Sequence, residues 1–370
     1  MMYKTYKISD ICSLVKGTYP ALKTEPGEYP LVVTAAYRRT ASTYQLEGPA
    51  VCVPLISSTG HGDAALHRVH YQEGKFALAN LLVALLPKDP NVCDAKYLYH
   101  LLMAKKDEYF VPLMLGTANV SLKEKDIASV EIPLPPVVEQ QRIVARIEEL
   151  TTKIEEARAL RKQAEEEAEA LCRSILSHGA EPRPTPMHEL VRLRPPDVAV
   201  RPEETYQFAG VYCFGRGVFR SDKKTGMDFA YARLTRLHVG NFVYPKLMAW
   251  EGALGVVPPE CDACVVSTEF PVFEVFEKLV FPEVLDTYFR TPAVWPTIAN
   301  ASTGTNVRRR RLNPKDFLNY CIPLPSRTTQ ERLRKVRVKV GALNQLQAET
   351  SAELDALMPS ILDKAFRGEL

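Results

Sequence analysis

The sequence predicts an α+β protein: two globular regions of mixed helix and strand, separated by two long antiparallel coiled-coil helices in a pseudo-two-fold repeat. Three observations carry this. At 370 residues the chain is too long for one typical domain. It repeats itself internally. Each copy of the repeat leads into a run of apolar residues at three-four spacing.

The repeat is legible by eye. Residues 126–142 read DIASVEIPLPPVVEQQR and residues 316–332 read DFLNYCIPLPSRTTQER. Asp126, Ile132, Pro133, Leu134, Pro135, Gln140 and Arg142 recur 190 positions later as Asp316, Ile322, Pro323, Leu324, Pro325, Gln330 and Arg332. Gly116-Thr117 returns as Gly304-Thr305, and Ser174-Ile175-Leu176 as Ser360-Ile361-Leu362. The last pair is offset by only 186, which predicts a shorter second helix. Four segments follow: a globular region over 1–135, a helix over 136–180, a second globular region over 181–325 and a second helix over 326–370.

In the first region, Tyr29–Thr34 and Ala50–Ile56 read as strands, with turns at Pro26-Gly27 and Gly60 and a helix near Asp94–Lys106. The prolines of Ile132-Pro133-Leu134-Pro135 forbid helix and favour extended chain. Beyond them Ile143, Ile147, Leu150, Ile154, Leu171 and Ile175 form an apolar seam flanked by charge, so this helix needs a partner. The segment Glu181–Pro196, rich in Pro and Arg, reads as a linker. The second region offers strands at Tyr206–Tyr212, Phe242–Tyr244, Leu254–Val257 and Phe270–Phe276, and a helix near Pro282–Arg290. The second helix supplies the partner seam in Leu333, Val336, Val340, Leu343, Leu354 and Leu357. Charge agrees with pairing: seven basic against nine acidic residues over 136–180, eight against six over 326–370. A helix of 35–40 residues extends about 55 Å, long enough to act as a ruler between two globular heads.

Several function classes are excluded on composition and motif. The longest apolar stretch, Phe76–Pro87, falls well short of the roughly 20 residues that span a membrane. No secretory signal is evident, so a cytoplasmic location with reduced cysteines is expected. Cys261 and Cys264 form a lone Cys-x-x-Cys without a second ligand pair, so no metal is expected. No phosphate-cradling Gly-x4-Gly-Lys-Ser/Thr run occurs, and Arg194-Pro195-Pro196-Asp197 does not match the motif with which adenine methyltransferases hold a flipped base. No catalytic residue is assigned.

Nucleic acid fits the local chemistry better. Base edges and phosphates are read by Arg, Lys, Asn, Gln, Ser and Thr on exposed loops. Gly304–Arg311 (GTNVRRRR) carries Thr305, Asn306, Arg308, Arg309 and Arg310 beside Thr303. Its counterpart in the repeat, Gly116–Lys125, carries Thr117, Asn119 and Lys123. The glycine-rich loop with Ser57, Ser58, Thr59 and His61 brings amides and hydroxyls forward. Tyr37-Arg38-Arg39, and Lys246 with Trp250, combine aromatic and cationic groups.

These features resemble the specificity subunits of Type I restriction-modification systems over essentially the whole chain. The carriers are Ile132-Pro133-Leu134-Pro135 with Glu139–Val144, and the C-terminal Ser360–Leu370. Ala249–Ala253 and Val266–Phe273 further resemble one subgroup of recognition domains, with Cys261–Cys264 between them as a hairpin turn. The resemblance implies that each region reads one half of a bipartite double-stranded DNA target. The helices would set the gap and dock two modification (methyltransferase) subunits, with restriction (motor-nuclease) subunits joining them. S-adenosylmethionine, ATP and Mg would then sit on the partners, and this chain would hold no cofactor. Thr328-Thr329-Gln330-Glu331 departs from Val138-Glu139-Gln140-Gln141 at the second helix start. Two other readings fit the same features: a specificity subunit for a fused methyltransferase-nuclease, and a coiled-coil scaffold that binds no DNA.

Overall fold

Both Ile-Pro-Leu-Pro segments form strands in the computed structural model, which describes residues 3–59, 62–117, 120–178, 183–303 and 310–370. Glu131–Leu134 pairs antiparallel with Lys4–Lys7, and Cys321–Leu324 with Arg183–Pro186. Each ladder has only two strands, so its prolines face no third strand that would miss their N–H. The chain divides into two units, Met1–Ala159 with Thr350–Leu370, and Leu160–Glu349.

The first unit holds two four-stranded sheets. One runs Cys12–Lys16, Leu82–Pro87, Ala50–Pro54, His70–Gln72; the other runs Arg39–Ala41, Tyr29–Val32, Lys75–Leu78, Leu46–Glu47. Helix Ala95–Tyr109 packs Leu98, Leu101 and Leu102 into the core, and Asp94 caps it by accepting from the Tyr97 amide at 2.9 Å.

The second unit repeats this plan. Val191–Leu193, Val272–Val275, Phe242–Val243 and Gly255–Val256 form one sheet. Val198–Ala199, Arg233–Arg236, Val265–Val266, Thr205–Tyr212 and Gly217–Thr225 form the other. Helix Pro282–Phe289 begins on proline, which lacks the N–H a first helical turn leaves unpaired anyway. Single hydrogen bonds recur in both units. The Ile8 amide donates to Val130 O and the Met187 amide to Tyr320 O; Lys88 donates to Ile11 O and Phe276 to Leu190 O. Gln140, fully buried, accepts from the Asp94 amide and donates to Val92 O and Pro135 O at 2.8–2.9 Å. Gln330 does the same for the Phe281 amide, Leu279 O and Pro325 O at 3.1–3.2 Å.

One unbroken helix, Val137–Ser177, contributes its first part to the first unit and its remainder to the second. In the first unit Ile143, Val144 and Ile147 share a core with Leu362 and Ala365 of helix Ser351–Arg367. Thr151 meets Met358 at 3.5 Å, and Arg158 meets Asp355 at 2.8 Å, so numbers rise on one helix as they fall on the other. In the second unit Cys172 and Ile175 share a core with Leu333 and Val340 of helix Arg327–Glu349. There Arg337 grips Glu169 with both nitrogens, at 2.6 and 3.0 Å. Both pairings are antiparallel.

Of the expected seam, Ile143, Ile147, Ile154, Leu333 and Val340 are buried, and Leu150, Val336 and Leu354 half-buried. Leu171, Leu343 and Leu357 are corrections, standing 48, 37 and 44% exposed. An α-helix drifts about 20° per heptad against a strict seven-residue repeat. The inward position therefore moves by one, to Cys172 after Ala168 and to Met358 and Leu362 after Leu354. The second helix is also two helices, interrupted at Thr350.

Two further expectations change. Glu181–Pro196 is not a linker over its described part: Arg183–Pro186 is a strand, Met187–Leu190 a helical turn and Val191–Leu193 a strand. Met187 and Leu190 are buried as Ile8 and Ile11 are, because this segment opens the second copy as residues 4–16 open the first. Cys261–Cys264 is not a hairpin turn either, since Gly255–Val256 and Val265–Val266 belong to different sheets. Both thiols are free and buried, and burial pushes Cys261 up to about 11. Among the described residues no helix is long and apolar enough to cross a membrane.

Candidate nucleic-acid interface

In the first unit the fully buried strand Ala50–Pro54 launches the loop that carries Ser57, Ser58 and Thr59. Its hydroxyls shape the loop. Ser57 Oγ donates to Asp63 O at 2.6 Å and accepts from the Ala65 amide at 3.1 Å, while Ser58 Oγ accepts from the His67 amide at 3.0 Å. The Ser57 amide donates to Val120 O at 2.9 Å, and Ile56 and Leu115 each bridge to Ser121. Two loops named from sequence alone therefore share one surface, with Thr117 and Lys123 exposed on it. A depression of about 240 Å³ opens beside them, lined by Thr34, Ala35, Ser57, Ser58, His67 and Arg68 among others.

The neighbouring cations are placed differently from expectation. Arg38 donates to Gln72 Oε1 at 3.0 Å, to Tyr71 O at 3.0 Å and to His70 Nδ1 at 3.2 Å. Arg39 donates to Ala21 O at 2.9 Å. Both brace the turn, and Tyr37 alone of this trio projects freely, 60% exposed. His70 is buried, and burial followed by the charges of Arg38 and Arg68 pushes it down to about 4, so it stays neutral and accepts from Arg38. Arg68, which sequence reasoning did not single out, lines the depression.

In the second unit Thr303 and Arg311 pair across an antiparallel bridge, as Leu115 and Ser121 do in the first. The Leu312 amide donates to Lys246 O, as the Leu122 amide donates to Leu55 O. Lys246 has partners within the fold: its Nζ donates to Thr268 O at 2.9 Å and lies 3.7 Å from Glu269. Arg311 pairs with the same Glu269. Trp250 is half-buried with an inward, unpartnered Nε1, so packing takes most of its ring. Thr303 is exposed and Arg310 half-buried. His61, Asn119, Thr305, Asn306, Arg308 and Arg309 lie outside the described residues. The turn carrying Phe214 and Arg216 also adjoins this surface, through the Phe214 amide on Glu251 O at 2.8 Å. Sequence comparison hid it because the two copies carry hairpins of unequal length, which shifts the repeat offset there.

The fold defines the class: an internally duplicated α+β protein on paired helices, in which the Leu115–Ser121 bridge of one copy recurs as Thr303–Arg311 in the other. Residues 2–166 match the family described as Type I restriction modification DNA specificity domain. The chain is 21% identical over 337 residues to the Type I restriction enzyme EcoBI specificity subunit of Escherichia coli, spanning 80% of this chain and 69% of that one. In fold it is similar to a chain from a structure of a type I R-M system, at TM-score 0.62 and 20% identity, covering 100% and 98% of the two chains. It is also similar to the HsdS subunit from Thermoanaerobacter tengcongensis, at TM-score 0.50 and 20% identity, over 100% and 97%. Residues 2–166 thus match a specificity domain, and over most of its length the chain is similar to a specificity subunit of a Type I restriction enzyme.

Proposed function

We propose that this chain is the non-catalytic, sequence-specific DNA-reading subunit of a Type I restriction-modification enzyme. The observation that carries the reading is the specificity-domain match over 2–166, joined to the recurrence of that region's hydrogen-bonded frame in 183–330. Two equivalent loop surfaces suit a bipartite target, one half to each domain. The proposed contacts are Tyr37, Ser58, Thr59, His61, Thr117, Asn119 and Lys123 in one domain, and Thr303, Thr305, Asn306, Arg308, Arg309 and Arg310 in the other. Ser57, Arg38, Arg39, Lys246 and Trp250 support them from behind. The paired helices set the gap and dock two modification subunits, which restriction subunits join in the cytoplasm. S-adenosylmethionine, ATP and Mg bind those partners.

The test is adenine methylation mapped across the genome of cells expressing this chain with its modification partner, against cells lacking the chain. A new bipartite methylated motif is expected. No motif, with an active partner, leaves a scaffold as the reading.

A further inference from the structure

The two units share one feature that goes beyond a list of contacts. In the first, Tyr29–Val32 runs antiparallel to Arg39–Ala41 and parallel to Lys75–Leu78. In the second, Thr205–Tyr212 runs antiparallel to Gly217–Thr225 and parallel to Val265–Val266. The turns at 33–38 and 213–216 are therefore equivalent in topology. Each carries an exposed aromatic followed by an arginine: Tyr37 before Arg38, and Phe214 two residues before Arg216. Tyr37 is 60% and Phe214 64% exposed.

In both turns the arginine bonds back to its own domain and the ring is largely exposed, the Phe214 ring tilting 6.2 Å from that of Trp295. Arg38 bonds His70, Tyr71 and Gln72 behind the first turn. Arg216 Nε donates to Cys213 O at 3.4 Å, and its guanidinium lies 4.4 Å over the Tyr212 ring, which itself stacks on Phe219 at 3.8 Å. Phe214 sits at φ 62, a region bulky residues rarely adopt. Its amide is clamped to Glu251 O and that of Gly215 to Gly252 O at 3.1 Å, so the backbone conformation is imposed by its neighbours. A single exposed ring needs no explanation. Two at the same turn, one on strained backbone, point to use.

The surroundings select the occupant. Residues 29–41 hold two arginines and no acidic residue; residues 205–225 hold four basic residues against one acidic. Lys223 and Lys224 also lie on an edge strand, where lysine discourages stray pairing, but that role puts no phenylalanine at the turn. Thr34 and Ala35 of the first turn line the depression with Ser57 and Ser58, and the second turn is bonded to Glu251 and Gly252, next to Trp250. Apolar side chains in such settings insert against base steps and unstack them.

We propose that Tyr37 and Phe214 are paired wedges, each packing its ring against a base step in the half-site its own domain reads. This rests on the DNA-reading function above.

The experiment uses the chain assembled with its modification subunits, and duplexes carrying the mapped target with 2-aminopurine in either half-site. Phe214→Ala is expected to weaken binding at least tenfold and to abolish the fluorescence rise in one half-site only; Tyr37→Ala does so in the other half. Phe214→Trp and Tyr37→Phe retain both signals, and all four variants keep the wild-type unfolding midpoint because the positions are exposed. Alanine variants with unchanged affinity and fluorescence overturn the wedge. So does loss of modification-subunit binding with unaltered DNA response in the complexes that still form, which makes the turns protein-docking surfaces. Failure of the wild-type complex to bind any duplex selectively sinks the DNA reading itself, a different result from wild-type binding with indifferent variants.

Discussion

Gln140 in the first unit and Gln330 in the second each tie the start of a long helix to the chain ahead of a shorter one, through three hydrogen bonds to equivalent backbone groups. A few residues from the shared Leu55–Leu122 and Lys246–Leu312 bonds the resemblance stops: Ser57-Ser58-Thr59 in one unit stands where Met248-Ala249-Trp250 stands in the other. The frame must satisfy buried polar groups in the same way twice, so its residues repeat. The tips answer to solvent and ligand, so they diverge. Two domains with one scaffold and two surfaces are what reading two different half-sites requires.

The largest test of this comparison strikes the frame. Gln140→Leu and Gln330→Leu each strand one buried amide and two carbonyls, and each is expected to cost about 3 kcal/mol. Hydrogen exchange resolved by unit should place the loss in the first unit for Gln140 and in the second for Gln330. Unequal losses would mean that the frames only look alike.

The helix pairs should separate next. Arg337 is 10% exposed and held by Glu169, whereas Arg158 and Asp355 are 50 and 67% exposed. Glu169→Gln leaves a buried guanidinium short of its partner and should cost about 2 kcal/mol in denaturant unfolding, while Asp355→Asn should cost under about 0.5 kcal/mol. Equal effects would remove the distinction.

A pH difference follows from His70. Its folded value near 4 lies below the ordinary 6.5, so the unfolded chain takes up the proton first as pH falls. Stability of the first unit is full above about 6.5 and declines toward 4. His70→Gln should flatten that decline, and unfolding midpoints across this range check it. The smallest effect belongs to the seam. Leu171→Ser should change stability by no more than about 0.5 kcal/mol, against about 3 kcal/mol for Ile147→Ala, since only the latter empties a filled core site.

What the sequence determined by itself was local or periodic. The two copies, the extended Ile-Pro-Leu-Pro segments, the Asp94 helix start and the existence of an apolar stripe on each long helix follow from proline chemistry, capping and spacing. The α+β class followed from the same signals. Tertiary structure decided the rest. Whether Leu171 or Cys172 turns inward depends on accumulated helical drift, which single positions do not reveal. Arg38 and Lys246 look like free cations in sequence and are braces in the fold, because their acceptors lie 22 to 34 residues away. The equivalence of Tyr37 and Phe214 is invisible to a fixed offset, since loops of unequal length separate the strands. It emerges only once hydrogen bonds set those strands side by side.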